Sequence, residues 1–246
     1  MTFGYCDSMD YQYLDSKHIA TTVSTLQKRI TERFPDSGLS KVCAQLSEIA
    51  DNAVTTSEHI RKPMTWLRIL IWLGCVLFLV LTVGAIYIAI HSKDSLLANI
   101  DAEANVLVLL GGAMLFLWTL EIRYKRGRAL KAIHELRSMA HIVDMHQLTK
   151  NPEKLLAKKI HRTDSSPTMT MTAFELRRYL DYCGEMLSLI GKIAAVYVQS
   201  FDDPVTVASA SDVETLTTGL SRKIWQKILI LNPIRDDDPP NKIQVS

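Results

Sequence analysis

Two long apolar segments, separated by a short loop, constrain this chain more than any other feature. The first covers residues 69–90 and the second covers residues 104–120, and neither contains a charged residue. A bilayer core about 30 Å thick requires roughly 20 apolar residues in a helix. The first segment exceeds that length, and the second is at the short end of the usual range. Because the loop of residues 91–103 is too short to fold as a domain, the sequence predicts a transmembrane helical hairpin.

Lysines and arginines flank this hairpin on one side only. Three precede the first segment and five follow the second: Arg61, Lys62, Arg68, Arg123, Lys125, Arg126, Arg128 and Lys131. Basic residues stay on the side of synthesis, so we expect both termini to be cytoplasmic. Trp66 and Trp118 lie near the cytoplasmic ends of the two segments, where indole rings favour the headgroup level. We therefore expect an integral membrane protein. A bacterial inner membrane is assumed as its location from the compact two-span plan.

Composition and motifs argue against several other functions. The formal net charge of +2 is too small to predict nucleic-acid binding, and the 4 cysteines have no metal-binding spacing. The chain contains no glycine-rich phosphate loop and no hydrolase or zinc-protease motif. We therefore expect no catalytic residues, no cofactor and no nucleic-acid partner.

The flanking regions have helical periodicity, which predicts an all-α membrane protein whose cytoplasmic domain is built from both flanks. Residues 1–62 contain two amphipathic patterns around a turn at residues 35–38. The apolar positions are Ile19, Val23, Leu26 and Ile30 before the turn, and Leu39, Val42, Leu46, Ile49 and Ala53 after it. Pro63 is expected to end the second helix. The predicted domains are residues 1–62, the hairpin at 63–120, a helical domain at 121–232 and a disordered tail at 233–246.

The second apolar segment lacks a helix breaker at its end, so its helix is expected to continue almost to Pro152. A linker is predicted at residues 157–170. Thr172 and Glu175 then form a capping box for the best helix outside the membrane. Its apolar seam steps by four and three residues through Leu176, Leu180, Cys183, Leu187, Ile190, Ala194, Tyr197 and Phe201. This seam suits an intramolecular bundle or an oligomer contact, and we favour the bundle.

A second capping box, formed by Ser211 and Glu214, predicts that another helix begins there. Its apolar positions are Val213, Leu216, Leu220, Ile224 and Ile228. Such helices offer surfaces for a protein partner or for a second copy of the chain.

One helical face carries three candidate metal ligands, His134, His141 and Asp144. Residues seven and three positions apart lie on the same side of a helix, and an i, i+3 carboxylate–imidazole pair occurs in helical metal sites. A single helix seldom completes a metal shell, however, and the other helices carry no matching motif. We therefore interpret this face as a solvated polar stripe and predict no metal site.

The small residues Gly111, Gly112 and Ala113 lie within the second apolar segment. Such a face favours close packing between transmembrane helices. Since neither segment contains an ionisable residue, a transport pathway would have to arise from assembly of several copies.

Three functional hypotheses follow. The first is a non-enzymatic, membrane-anchored signalling or scaffold protein that binds a partner through its cytoplasmic helices. The second is an oligomerising, membrane-disrupting effector, because the layout resembles two-span effector modules of bacterial antiviral and conflict systems. That resemblance is one of architecture and transfers no residues. The third is a membrane-bound, metal-dependent enzyme that uses the face of His134, His141 and Asp144.

Overall fold

The structure, a computed structural model, describes residues 13–91, 96–156, 170–199 and 201–231. Every regular element among them is an α-helix, which confirms the all-α class. The helices are α1 (Ser16–Arg33), α2 (Gly38–Arg61), α3 (Thr65–His91), α4 (Leu96–Leu148), α5 (Glu153–Leu156), α6 (Ala173–Val198) and α7 (Pro204–Leu231). Most of the predicted linker at 157–170 and the predicted tail at 233–246 lie outside the described residues.

The described residues form two compact units, with boundaries at residues 59/60 and 128/129. We call residues 60–128 the apolar unit, and the described residues of 13–59 and 129–231 the bundle. The bundle joins both flanks of the chain in one unit, and its boundaries differ by a few residues from the predicted 62/63 and 120/121. As predicted, α4 does not stop at the end of the apolar segment. It is 53 residues long and ends at Leu148.

The turn between α1 and α2 forms where the sequence predicts it. Asp36 has a φ of 58°, and the left-handed region is one that a short polar side chain such as Asp tolerates. The hydroxyl of Ser37 accepts a hydrogen bond from the backbone N–H of Ser40 at 3.1 Å, which satisfies an amide in the first turn of α2. All four predicted apolar positions of α1 are buried. In α2, Ile49 is only half-buried, whereas the neighbouring Cys43 and Ala50 are fully buried.

Helix α6 is the centre of the bundle. Its predicted capping box is confirmed: Thr172 Oγ1 accepts from the Glu175 N–H at 3.2 Å, and Glu175 Oε2 accepts from the Thr172 N–H at 2.8 Å. Buried residues cover a face much broader than one seam, while Arg177, Arg178, Ser188 and Lys192 share an exposed face. The buried residues are Leu176, Tyr179, Leu180, Tyr182, Cys183, Met186, Leu187, Leu189, Ile190, Gly191, Ile193, Ala194, Val196 and Tyr197.

Seven of the eight predicted seam residues are buried in α6, and the assignment of Phe201 to the helix is wrong. The helix ends at Val198, and the N–H of Phe201 instead donates to the Val198 carbonyl in the following turn. Because the seam is buried within a single chain, it is part of an intramolecular core.

The predicted start of the last helix at Ser211 is also wrong, because α7 begins two turns earlier at Pro204. The Asp203 carboxylate accepts from the Thr206 N–H at 3.0 Å and from its hydroxyl at 2.9 Å. An aspartate cap followed by proline in the first turn is a strong helix start, since proline has no N–H to leave unsatisfied. Ser211 therefore lies inside the helix.

Neighbouring helices run antiparallel to α6. The Leu14 N–H donates to Gln199 Oε1 at 2.9 Å, and Gln199 Nε2 donates back to the Leu14 carbonyl at 3.0 Å, so the start of α1 meets the end of α6. At the other end, Phe34 packs edge-on against the Tyr179 ring, with centroids 5.7 Å apart. Helix α7 approaches closely at Gly191, where an added Cβ would lie 3.2 Å from Thr217 Oγ1. This contact agrees with the absence of a side chain at that position.

The bundle should lose stability in alkaline solution because it buries two cysteine thiols. Burial, together with the nearby Glu185, raises the pKa of Cys43 to about 12. Burial also raises the pKa of Cys183 to about 12, although the charges of Lys227 and Lys150 act in the opposite direction. The folded state keeps these protons as pH rises above about 9, while the unfolded chain releases them. We expect the melting temperature to fall between pH 9 and pH 11, and to fall less steeply when Cys43 and Cys183 are both replaced by alanine.

The single variants Cys43→Ala and Cys183→Ala are the controls, since each should remove only part of the change that the double variant removes. Parallel slopes for the parent and the double variant would contradict the assignment of this pH dependence to the two thiols.

Candidate functional site

The most polar part of the bundle interior lies where the end of α4 meets α6 and α7. Gln147, in the last turn of α4, is 2% exposed, and its Nε2 donates to Asp144 Oδ1 at 2.6 Å. Lys227 of α7 donates from Nζ to the Gln147 backbone carbonyl at 2.8 Å and to Gln147 Oε1 at 2.5 Å. A cation at a helix C-terminus satisfies carbonyls that have no partner within the helix and opposes the negative end of its dipole.

Lys227 is a lysine in an unfavourable environment for its charge. Burial lowers its pKa, and the nearby Asp144 and Cys183 act in the opposite direction. A lysine with a lowered pKa is a candidate nucleophile in many enzymes. Here its hydrogen bonds hold α7 against the end of α4, so the arrangement supports a structural role.

The same end of α4 is held by two further helices. The Tyr179 hydroxyl of α6 donates to the His146 carbonyl at 3.3 Å, and the Lys150 ammonium lies 5.4 Å from the centre of the Tyr179 ring. Gly38 opens α2 directly beside the His146 imidazole, where an added Cβ would clash. We call Asp144, Gln147, Tyr179 and Lys227 the α4 clamp. Through it, α6 and α7 meet the final turns of α4, and α2 meets the same turns at the contact of Gly38 with His146.

The three candidate metal ligands do not gather into a site. His134 and His141 are exposed on the surface of α4, and Asp144 is half-buried and bonded to Gln147. In residues 13–91, 96–156, 170–199 and 201–231, no group of three or more His, Cys, Asp and Glu side chains is arranged to hold a metal ion. The geometry thus lends the metal-dependent enzyme hypothesis no support.

Helix α3 exposes an unusually apolar surface in the apolar unit. Within Gly38–Gly84, the described residues include one stretch that is long and apolar enough to cross a membrane. Only 6% of its 18-residue apolar part is buried. Leu67, Gly74 and Phe78 lie on a narrow face that is buried or half-buried. Exposed apolar side chains cover most of the rest of the helix: Trp66, Ile69, Leu70, Trp72, Leu73, Val76, Leu77, Leu79, Val80, Leu81, Val83, Ile86 and Tyr87. The second predicted segment, residues 104–120, does not meet the same criterion, so the two-span hairpin stays a prediction.

An ion cluster joins α3 to α4 at the basic end of the apolar unit. Glu121 accepts from Lys125 Nζ at 2.9 Å, from the Met64 N–H at 3.3 Å, and lies 3.8 Å from Arg68 Nε. The side chains of Glu121 and Lys125 are largely buried. Further along, Gly74 packs beside Met114, with an added Cβ 3.6 Å from Met114 Cγ. Gly74, which was not among the predicted packing residues, thus lies at the contact between α3 and α4.

The predicted packing residues Gly111, Gly112 and Ala113 have a different environment. Among the described residues, no neighbouring atom lies within 4 Å of a Cβ added at Gly111 or Gly112, and Gly112 and Ala113 are exposed. Their role in membrane packing stays a prediction.

The α4 clamp was likewise not predicted, although the sequence contains a signal for part of it. Gln147 continues the buried series Leu136, Ala140 and Val143, so it is a polar residue in an apolar register. Such a residue is expected to have a buried hydrogen-bond partner. The identity of the partner, Lys227, depends on a contact between residues 80 positions apart.

Comparisons with known proteins yield no matching family model, and no curated protein or solved structure is significantly similar to this chain.

Removing the Lys227 side chain should weaken the bundle. In the Lys227→Met variant, the buried Gln147 loses its donor, and an unsatisfied buried polar group costs about 1–3 kcal/mol. The exposed Lys223 provides the matched control, and Lys223→Met should change the free energy of unfolding by less than about 0.5 kcal/mol. Chemical unfolding of the full chain in mild detergent, followed by circular dichroism, measures both effects.

A double variant separates the hydrogen bonds from simple packing. Since two matched apolar groups do not need a polar partner, Gln147→Leu combined with Lys227→Met should recover much of the loss. Additive losses in the double variant would contradict the proposed coupling.

Proposed function

We propose that this chain is a non-enzymatic, two-pass membrane protein that holds a helical bundle at the membrane as a scaffold or signalling component. Both termini and the bundle lie in the cytoplasm, at a bacterial inner membrane. The observation that carries the membrane part of this proposal is the broad exposed apolar face of α3, whose 18-residue apolar stretch is only 6% buried. An apolar core helix of a water-soluble protein would instead be mostly buried.

The magnitude of this exposure supports a lipid environment. Burial of one large aliphatic side chain contributes about 1.5–3 kcal/mol. Even at half that value, the exposed side chains of α3 together represent on the order of 10 kcal/mol, which is comparable to the whole stability of a typical domain. A bilayer supplies this burial, and it needs the backbone polar groups to be paired within the helix, as they are in α3.

The polar ends of the apolar unit fit the same orientation. Trp66 and Trp118 are 61% and 67% exposed, so their indole rings are available to the headgroup region. Arg61, Lys62 and Arg123 are exposed at the same ends of the apolar segments in the sequence. Basic residues there favour a cytoplasmic location and contact with anionic lipid headgroups.

The bundle supports a binding role more than a catalytic one. Its centre is filled by α6, and the described residues leave no buried side-chain nitrogen or oxygen without a hydrogen-bond partner. The half-buried Lys227 is hydrogen-bonded to Gln147 in the α4 clamp. A packed, fully paired interior directs attention to the surface of the bundle, where partner helices can dock.

A charge placed at the middle of α3 tests the membrane proposal. Arginine at the centre of a transmembrane helix costs about 2.5–3.5 kcal/mol of insertion, whereas an added surface charge in a water-soluble protein is tolerated. Val80→Arg should therefore reduce the fraction of protein that resists extraction from membranes by alkaline carbonate. The control Gln45→Arg places the same charge on the exposed surface of α2 and should leave that fraction unchanged. Equal behaviour of the two variants would contradict a membrane span at α3.

One observation favours the effector hypothesis as a second candidate. Gly111 and Gly112 have space beside them among the described residues, so a span of another copy can approach there. An effector should collapse the membrane potential when it assembles, whereas a scaffold should leave the potential intact. A potential-sensitive dye, read during induced expression of the parent and of a Gly111→Leu, Gly112→Leu variant, distinguishes them. Collapse by the parent alone supports the effector, and an intact potential with a stoichiometric protein recovered in detergent supports the scaffold.

A further inference from the structure

A shallow apolar groove runs along the bundle surface between α6 and α7. It encloses about 400 Å³, within the range of ligand-binding clefts. Leu180, Ile224 and Ile228 line the groove and are themselves buried. The groove is therefore part of the bundle surface, and its floor is built from core side chains that the fold already fixes.

Trp225 forms one wall of this groove and projects into solvent. Its side chain is 59% exposed, and Leu229, one turn further along α7, is 48% exposed. The other three tryptophans of the chain, at positions 66, 72 and 118, all lie in the apolar unit. A tryptophan beside an apolar groove is typical of an interface anchor, because aromatic residues are enriched at the buried centres of protein interfaces.

The rim of the groove carries one charge of each sign. Asp181 of α6 lies on one side, where its Oδ2 is 3.6 Å from Nη1 of Arg178 on the same helix, and Arg222 of α7 lies on the other. A partner of uniform charge would be attracted by one rim and repelled by the other. In a two-fold dimer, every residue i that contacts residue j is matched by j contacting i, so the surface must be complementary to itself. Opposite charges on the two rims meet that condition, since Arg222 of each copy can face Asp181 of the other.

We propose that this groove binds a second copy of the same chain in a two-fold dimer, with the two Trp225 side chains at its centre and Asp181–Arg222 pairs at its edges. This inference rests on the proposed membrane anchorage, because two copies confined to one bilayer meet at a raised effective concentration. A groove of this size gives a modest interface. The dimer should therefore form more completely in lipid than in dilute detergent.

Light scattering combined with size-exclusion chromatography, over a concentration series of the full chain in mild detergent, measures the dimer. Trp225→Ala should raise the dissociation constant about tenfold or more. Met145→Ala removes an exposed apolar side chain of α4 elsewhere on the bundle and should leave the constant unchanged. Circular dichroism melting of each variant confirms that the bundle remains folded, since Trp225 and Met145 are both exposed.

Charge reversal identifies the occupant as a second copy. Asp181→Arg alone places two arginines opposite each other at both edges of the dimer, and Arg222→Asp alone places two aspartates there. Each single variant should be monomeric, but an equimolar mixture should form heterodimers, because every edge then pairs arginine with aspartate. A different partner protein bound in the groove would not produce this recovery.

Several results would overturn the proposal. They are a parent protein that stays monomeric both in detergent and in lipid nanodiscs, a dimer that is insensitive to Trp225→Ala and to both reversals, and reversal variants whose mixture remains monomeric. These results are separable from failure of the membrane proposal, because resistance to carbonate extraction is measured independently on the Val80→Arg and Gln45→Arg variants.

Discussion

The removal of apolar side chains from water is the constraint on which the rest of this structure depends, and two helices meet it in opposite ways. Helix α6 buries a broad apolar face against other helices of its own chain. Helix α3 is at least as apolar but exposes most of its apolar side chains in the apolar unit. The chain itself thus covers the apolar face of α6, whereas the proposed bilayer covers that of α3.

Polar groups near these apolar regions are paired in ways that restrain helix ends. Glu121 binds Lys125 and the backbone N–H of Met64, just before α3 begins. In the bundle, Lys227 satisfies a carbonyl in the last turn of α4. Because α4 contributes long stretches to both units, its two sets of polar contacts act on one continuous helix.

The surfaces that we propose to be functional lie on the outside of the molecule. The described interior of the bundle is filled by large side chains, and its buried polar side chains are hydrogen-bonded. The groove between α6 and α7 instead combines a fixed apolar floor with an exposed tryptophan and opposite charges on its rims. Such a surface is suited to recognition between helices, which agrees with a scaffold role more directly than with catalysis.

Local patterns in the sequence were sufficient for most helices. The capping box of Thr172 and Glu175, the turn before Gly38 and the buried positions of α1 were all predictable, because they depend on residues a few positions apart. The start of α7 was misplaced for a local reason: the sequence contains two plausible caps, and the cap at Asp203, with proline next to it, is the one that forms.

Other features were decided only by the tertiary structure. Periodicity indicated a single seam on α6, but several helices pack against α6, so its buried face is much broader, and only those neighbours determine its width. The pairing of Lys227 with Gln147, and the groove beside Trp225, likewise join residues from separate helices. The sequence by itself determined which segments are helical and which are apolar enough to require burial, because those properties are local. Which apolar surfaces the chain buries itself, and which it leaves to a membrane or a second molecule, depends on long-range packing.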